Sequence, residues 1–132
     1  MILTFVSAVS ERILVPYLVR HIIIELNDCP FEILNDLPLM ERMLLDVADA
    51  LKTEVMKATS YQFDPQGVTA ILIVGASHLS VHTWPENGYA SVDMVVCTDN
   101  FELTEVIALV KEHCKTNNVN FIEFRRGLVK TE

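Results

Sequence analysis

Reactive side chains are concentrated between residues 76 and 97 of this 132-residue chain. A serine, two histidines, a glutamate and a cysteine lie there, at Ser77, His78, His82, Glu86 and Cys97. From residue 77 to residue 81 apolar and polar side chains alternate, which predicts a strand with Ser77 and His78 on opposite faces. Residues 85–88 predict a turn, and residues 90–97 predict a returning strand. Such a hairpin would bring Cys97 back towards Ser77 and His82.

This stretch resembles the prokaryotic S-adenosylmethionine decarboxylases, small enzymes that make their own pyruvoyl cofactor by cutting their chain at a serine. The matching residues are Ser77, His78, His82, Thr83, Trp84, Pro85, Glu86, Gly88, Tyr89, Ala90, Asp93 and Cys97. One position departs from the family pattern, because Ala76 stands where the family has glutamate before the cleaved bond. The resemblance covers about residues 19–127 and is strongest over 75–97.

The resemblance implies self-cleavage between Ala76 and Ser77. The serine hydroxyl attacks the carbonyl of Ala76, which converts the amide into an ester. Removal of the serine α-proton then expels the upstream chain as a carboxylate, and hydrolysis of the resulting dehydroalanine releases ammonia and leaves a pyruvoyl group. The first step needs a distorted peptide bond, an oxyanion donor and a base. By position, His82 and Thr69 are the histidine and the Ser/Thr that assist processing in the family. The chemistry does not require glutamate at position 76, since the attacked atom belongs to the backbone.

The resemblance also implies how the pyruvoyl group is used. Its carbonyl forms a Schiff base with the α-amine of the substrate and accepts the electrons left by departing carbon dioxide. Cys97 occupies the position of the cysteine that returns a proton to the substrate, a task that suits a thiol whose pKa is set by its neighbours. Phe63 stands where the family has an aromatic residue that stacks on adenine. Glu86 resembles the carboxylate that accepts hydrogen bonds from the ribose hydroxyls.

The hydrophobic pattern predicts a single domain over residues 1–132 that belongs to the α+β class. Strands are expected at about 20–26, 54–63, 67–76, 77–81, 90–97 and 119–124. Helices are expected after Asp36, with a buried stripe as far as Leu51, and over about 100–114. This order predicts an antiparallel β-sheet with helices packed on one face. The resemblance implies that two such layers pair as an αββα sandwich in a homodimer. Residues 1–18 form an N-terminal extension to which the sequence assigns no role.

Composition narrows the possible partners. The formal net charge of −8 makes nucleic acid an unsuitable partner. Three cysteines without CxxC spacing argue against a disulfide framework and against a zinc site, and they fit a reducing cytoplasm. The apolar opening of residues 1–6 is too short for a signal peptide or a membrane span. We therefore expect no metal, no nucleic acid and no membrane, and the resemblance implies a small-molecule substrate.

Three functions stay open at this point. The first is decarboxylation of S-adenosylmethionine, which supplies aminopropyl groups for polyamine (spermidine) synthesis. The second keeps the scaffold but decarboxylates arginine or another basic amino acid, and Phe63 and Glu86 favour the first function over it. The third is an unprocessed, non-catalytic relative that acts as a binding or regulatory subunit, and its main support is Ala76.

Overall fold

A six-stranded antiparallel sheet forms the framework of the computed structural model, which describes residues 16–129. The strands are β1 (Tyr17–Asn27), β2 (Val55–Gln62), β3 (Val68–Val74), β4 (Ser77–Trp84), β5 (Tyr89–Val96) and β6 (Asn118–Leu128). The helices are α1 (Phe31–Leu34), α2 (Leu37–Ala50) and α3 (Leu103–Cys114), and a 3-10 turn covers Pro85–Asn87. The strands lie in the order β2-β3-β4-β5-β1-β6, and every neighbouring pair is antiparallel. The predicted α+β architecture is confirmed.

The hydrophobic core lies between the sheet and helices α2 and α3. The predicted apolar stripe of α2 is completely buried, at Met40, Met43, Leu44, Val47 and Leu51. Alternate residues of β1 and β5 point into the same core, which is why both strands show a two-residue burial pattern. The predicted start of α2 is also confirmed, because the Asp36 carboxylate accepts a hydrogen bond from the Leu39 N–H at 3.1 Å.

The opposite face of the sheet, which we call the open face, carries the remaining side chains of the strands. Several large apolar side chains there are substantially exposed, including Ile73 at 46%, Trp84 at 43% and Phe124 at 40%. They stand beside polar residues, since Ile73 pairs with His78 and Phe124 pairs with His21. These strands therefore carry apolar residues on both faces of the sheet.

Several elements differ from the prediction; β1 starts at Tyr17 rather than about residue 20, and β4 continues to Trp84 rather than ending at 81. Strand β3 ends at Val74 rather than at 76, because Gly75 and Ala76 form the turn to β4. Helix α3 begins at Leu103 instead of about residue 100, β6 continues to Leu128, and the short helix α1 was not predicted.

Most of the predicted N-terminal extension, residues 1–15, lies outside the described residues. Tyr17 and Leu18, which the prediction assigned to the same extension, belong to β1. Tyr17 pairs with Leu128 at the end of β6.

Candidate active site

A two-residue hairpin turn presents the bond between Ala76 and Ser77. Val74 and Ser77 are the pair that closes the turn between β3 and β4. Gly75 has a φ of +55°, a conformation that glycine adopts without steric cost and that primed hairpin turns require. Gly75 and Ala76 are exposed, and Ser77 is half-buried. The Ala76–Ser77 peptide bond therefore lies at the junction between a tight turn and a regular strand.

Cys97 lies next to Ser77 because β5 runs back along β4. The last pair of these strands is His78 with Val95, and Cys97 follows two residues later. The Ser77 Oγ and the Cys97 Sγ are 3.1 Å apart, within hydrogen-bonding distance for sulfur. Both residues line a cavity of about 170 Å³. The predicted approach of Cys97 to Ser77 is confirmed.

Two residues that the sequence reasoning missed, Lys52 and Thr53, line the same cavity. They belong to the connection between α2 and β2, which contacts the hairpin through a hydrogen bond from the Gly75 N–H to the Glu54 carbonyl at 3.1 Å. Lys52 brings a cationic side chain to the wall of the cavity. No motif marks this connection, and only the pairing of β2 with β3 reveals its position.

His82 and Thr69 form a second polar pair, away from Ser77. The Thr69 Oγ1 and the His82 Nδ1 are 2.9 Å apart on the open face. His82 pairs with Ser91 on β5, not with the residues next to Cys97. Five residues of strand separate it from Ser77, which corresponds to about 16 Å. The expectation that the hairpin brings Cys97 close to His82 is therefore wrong within a single chain.

Phe63 and Glu86 lie at the same end of the sheet as His82. Phe63 is 46% exposed and packs edge-to-face on Tyr61, with ring centroids 4.8 Å apart. Glu86 accepts a hydrogen bond from the Gln66 amide at 3.3 Å. We call this region the His82 end, comprising Phe63, Thr69, His82 and Glu86. The Ser77 end comprises the turn at 75–77 and Cys97.

A carboxylate between two histidines lies on the open face. Asp93 contacts His78 Nε2 at 3.2 Å and also contacts the Nε2 of His21. The Arg126 guanidinium donates to the Nδ1 of His21 at 3.2 Å, so the proton of this imidazole is on Nε2 and faces Asp93. No role was predicted for His78. Because His78 directly follows Ser77, its contact with Asp93 links the start of β4 to β5.

Three further observations concern residues 16–129. No group of three or more His, Cys, Asp or Glu side chains in this range is arranged to hold a metal ion. All three cysteines are free thiols. No helix among these residues has the length and apolar character needed to cross a membrane.

Comparison with known proteins identifies the family. Residues 20–127 match the family model described as S-adenosylmethionine decarboxylase. The chain belongs to this family. An S-adenosylmethionine decarboxylase proenzyme of Bacillus cytotoxicus is 38% identical over 108 residues, covering 82% of this chain and 83% of the relative. One of Methanococcus maripaludis is 33% identical over 113 residues, covering 86% of this chain and 93% of the relative.

A solved structure of an S-adenosylmethionine decarboxylase has the same fold. It is the adenosylmethionine decarboxylase from Aquifex aeolicus VF5, with a TM-score of 0.79 and 24% sequence identity. The similarity covers 88% of this chain and 96% of that one. The suspected S-adenosylmethionine decarboxylase family is thus confirmed.

Proposed function

We propose that this protein is a self-processing, pyruvoyl-dependent decarboxylase that acts on S-adenosylmethionine and supplies aminopropyl groups for spermidine synthesis. One observation carries the proposal: the 3.1 Å contact between Ser77 Oγ and Cys97 Sγ beside the turn that holds the Ala76–Ser77 bond. The names of its relatives support the choice of substrate. Its free cysteines suit the reducing cytoplasm, where we place the reaction.

The residues of the Ser77 end fit a pyruvoyl group at position 77. Ser77 is the first residue of β4, so cleavage before it opens the exposed turn and leaves the strand pairing of β4 in place. The adjacent cavity of about 170 Å³ leaves space beside Ser77 and Cys97. A pyruvoyl group there would supply the electrophilic carbonyl that binds the substrate amine and accepts the electrons left by carbon dioxide. Cys97 holds the proton that returns to the substrate α-carbon.

His82, the histidine expected to assist processing, lies about 16 Å from Ser77 along the strand, so it does not reach Ser77 within one chain. We propose that a second copy provides this histidine. Two chains that pair through their open faces, with a two-fold axis between them, would bring the His82 end of each to the Ser77 end of the other. The exposed apolar side chains Ile73, Trp84 and Phe124 support such an interface. Each homodimer would then contain two composite sites.

In this arrangement the His82 end has two tasks. His82, held by Thr69 at 2.9 Å, acts as the base or acid during cleavage. Phe63 offers an exposed aromatic face for adenine, and Glu86 offers a carboxylate for the ribose hydroxyls. This pair favours S-adenosylmethionine over arginine, which has neither adenine nor ribose. Ala76 favours a different function, an unprocessed binding or regulatory relative, and the first experiment must separate the two.

The intact mass of the purified, denatured protein tests self-processing. We expect two fragments, residues 1–76 and a piece that begins with a blocked pyruvoyl group at 77, and a single uncut species from Ser77→Ala. A wild-type protein that stays at 14.9 kDa after long incubation would contradict the proposal and favour the unprocessed relative. Release of labelled carbon dioxide from carboxyl-labelled S-adenosylmethionine, with carboxyl-labelled arginine in parallel, then identifies the substrate.

A further inference from the structure

The segment that carries Cys97 lies beyond the strand pairing on both sides. Pairing of β5 ends at Val95 on the β4 side and at Val96 on the β1 side. Helix α3 begins only at Leu103. Residues 97–102, which we call the Cys97 loop, therefore depend on side-chain contacts for their position. Because Cys97 must stay next to Ser77, these contacts matter for the reaction.

Two residues at the start of β1 supply such contacts. The Tyr17 hydroxyl donates to the Asp99 Oδ1 at 2.8 Å. The Arg20 Nη1 lies 3.4 Å from the same oxygen. The Arg20 guanidinium also lies over the ring of Phe101, 4.5 Å from its centroid, in cation–π geometry. Tyr17 and Arg20 thus hold the Cys97 loop at two points, two and four residues after Cys97.

Arg20 is itself fixed to the core. Its Nε and Nη2 donate to the two carboxylate oxygens of Glu123, at 2.6 and 3.0 Å. Glu123 is only 2% exposed, so this bidentate pair is held by the surrounding side chains. Burial lowers the pKa of Arg20, but the hydrogen bond and the charge of Glu123 offset this and leave it above the ordinary value. Tyr17 is fixed in a similar way, since the Arg125 guanidinium lies 4.8 Å from its ring centroid.

We propose that Tyr17 and Arg20 are positioning residues that keep the thiol of Cys97 beside Ser77. They act through Asp99 and Phe101 and need not touch the substrate. A small cavity of about 40 Å³ between these two residues and the Cys97 loop leaves the loop room to shift when a contact is lost. Tyr17 precedes the family match, which begins at residue 20, so the family model assigns it no role. The inference deepens the proposed function and rests on it for the role of Cys97.

Alkylation of the folded, full-length protein with iodoacetamide tests the position of the thiol directly. Cys97 is exposed, whereas Cys29 and Cys114 are 6% and 0% exposed, so limited labelling followed by peptide mass spectrometry reports on Cys97. Tyr17→Phe removes the hydroxyl and keeps the ring under Arg125. We expect this variant to be labelled at least about threefold faster, because the loop loses a hydrogen bond to a charged group.

A matched control comes from the other end of β5. The Tyr89 hydroxyl donates to Glu25 at 2.6 Å, so Tyr89→Phe also removes one tyrosine–carboxylate hydrogen bond, but far from Cys97. Its labelling rate should equal that of the wild type. If both tyrosine variants are labelled at the same increased rate, the effect is general loosening of the sheet and the proposal is wrong.

A double-mutant cycle separates positioning from a general loss of stability. If Tyr17 acts only through Asp99, Tyr17→Phe should cause no further increase in labelling when Asp99→Ala is already present. Asp99→Asn keeps an acceptor for the Tyr17 hydroxyl, and it should be labelled more slowly than Asp99→Ala. Effects of Tyr17→Phe and Asp99→Ala that multiply, or a Tyr17→Phe rate equal to that of the wild type, would overturn the proposal.

Decarboxylation is a second readout, and it can fail independently of the labelling pattern. In an active enzyme, Tyr17→Phe should lower kcat and leave KM unchanged, since a displaced thiol affects proton return rather than substrate binding. A rise in KM with kcat unchanged would contradict a positioning role. A wild-type protein that shows the predicted labelling pattern but releases no carbon dioxide would refute the proposed function while the role of Tyr17 in holding the loop stands.

Discussion

The separation of the Ser77 end from the His82 end leads to a complementation experiment. Ser77→Ala removes the cleaved residue, and His82→Ala removes the proposed base, so each variant alone should remain uncut. If each site combines the two ends from different chains, a mixed dimer contains one complete site and one site that lacks both groups. Co-expression of the two variants should therefore restore cleavage that neither shows alone.

The magnitude follows from random pairing. When the two chains are present in equal amounts, about half of all dimers are mixed, and each mixed dimer cleaves one of its two chains. The cleaved fraction should thus reach about one quarter of the wild-type level. Only the His82→Ala chain should be cut, because it alone retains Ser77. The prediction depends on the separation of about 16 Å between Ser77 and His82, which prevents a contact within one chain.

Intact mass spectrometry of the co-purified pair, with one chain carrying a removable tag, measures which chain is cut. Co-expression of a Ser77→Ala chain with a Cys97→Ala chain is the matched control when decarboxylation is measured. Both removed groups belong to the Ser77 end, so no mixed dimer contains a complete site. If the Ser77→Ala and His82→Ala chains form mixed dimers and yet stay uncut, the composite site is wrong. Cleavage of His82→Ala expressed alone would show that His82 is not the base.

Three further predictions concern stability. Thr83 is buried, donates to the Leu34 carbonyl at 2.8 Å and accepts from the Val68 N–H at 2.9 Å. Thr83→Val removes both hydrogen bonds, so urea unfolding should show a free energy of unfolding lower by about 2–4 kcal/mol. Asp36→Ala removes the N-cap of α2 and should cost about 1 kcal/mol in the same assay, whereas no loss would show that the cap contributes nothing. Burial raises the pKa of Tyr89, so the unfolded chain loses the hydroxyl proton at lower pH than the folded chain does. The free energy of unfolding should therefore fall as pH rises above about 10, and Tyr89→Phe should make that fall smaller.

Local patterns were sufficient to predict most of the fold. The stripe from Met40 to Leu51 has helical spacing, and its burial against the sheet follows from that spacing alone. The hairpin of β4 and β5 follows from alternation on both sides of a turn with proline and glycine, so the contact between Ser77 and Cys97 was predictable. The boundary at Val74 was not, because Gly75 and Ala76 continue an apolar run and only the register shows that they form a turn.

Contacts between distant segments were not predictable in the same way. Lys52 reaches the cavity at Ser77 only because β2 pairs with β3, and the sequence contains no signal for that edge of the sheet. Tyr17 reaches Asp99 because β1 lies between β5 and β6, an arrangement that requires knowledge of the strand order. His82 shows the converse error. The predicted hairpin was expected to bring Cys97 near both Ser77 and His82, whereas an extended strand separates successive residues by about 3.3 Å each.

The place of Ala76 in the turn bears on whether alanine at this position prevents cleavage. Residue 76 is the second residue of an exposed two-residue turn, and its backbone carbonyl is the group that we propose Ser77 attacks. The turn geometry depends on the positive φ of Gly75 and not on the side chain at 76. A glutamate there would add a negative charge on the exposed side of the bond. Alanine lacks that charge but leaves Ser77, the turn and Cys97 in place. For this reason we expect Ala76 to alter the rate of cleavage rather than to abolish it, so Ala76→Glu should be cut at a different rate and at the same bond.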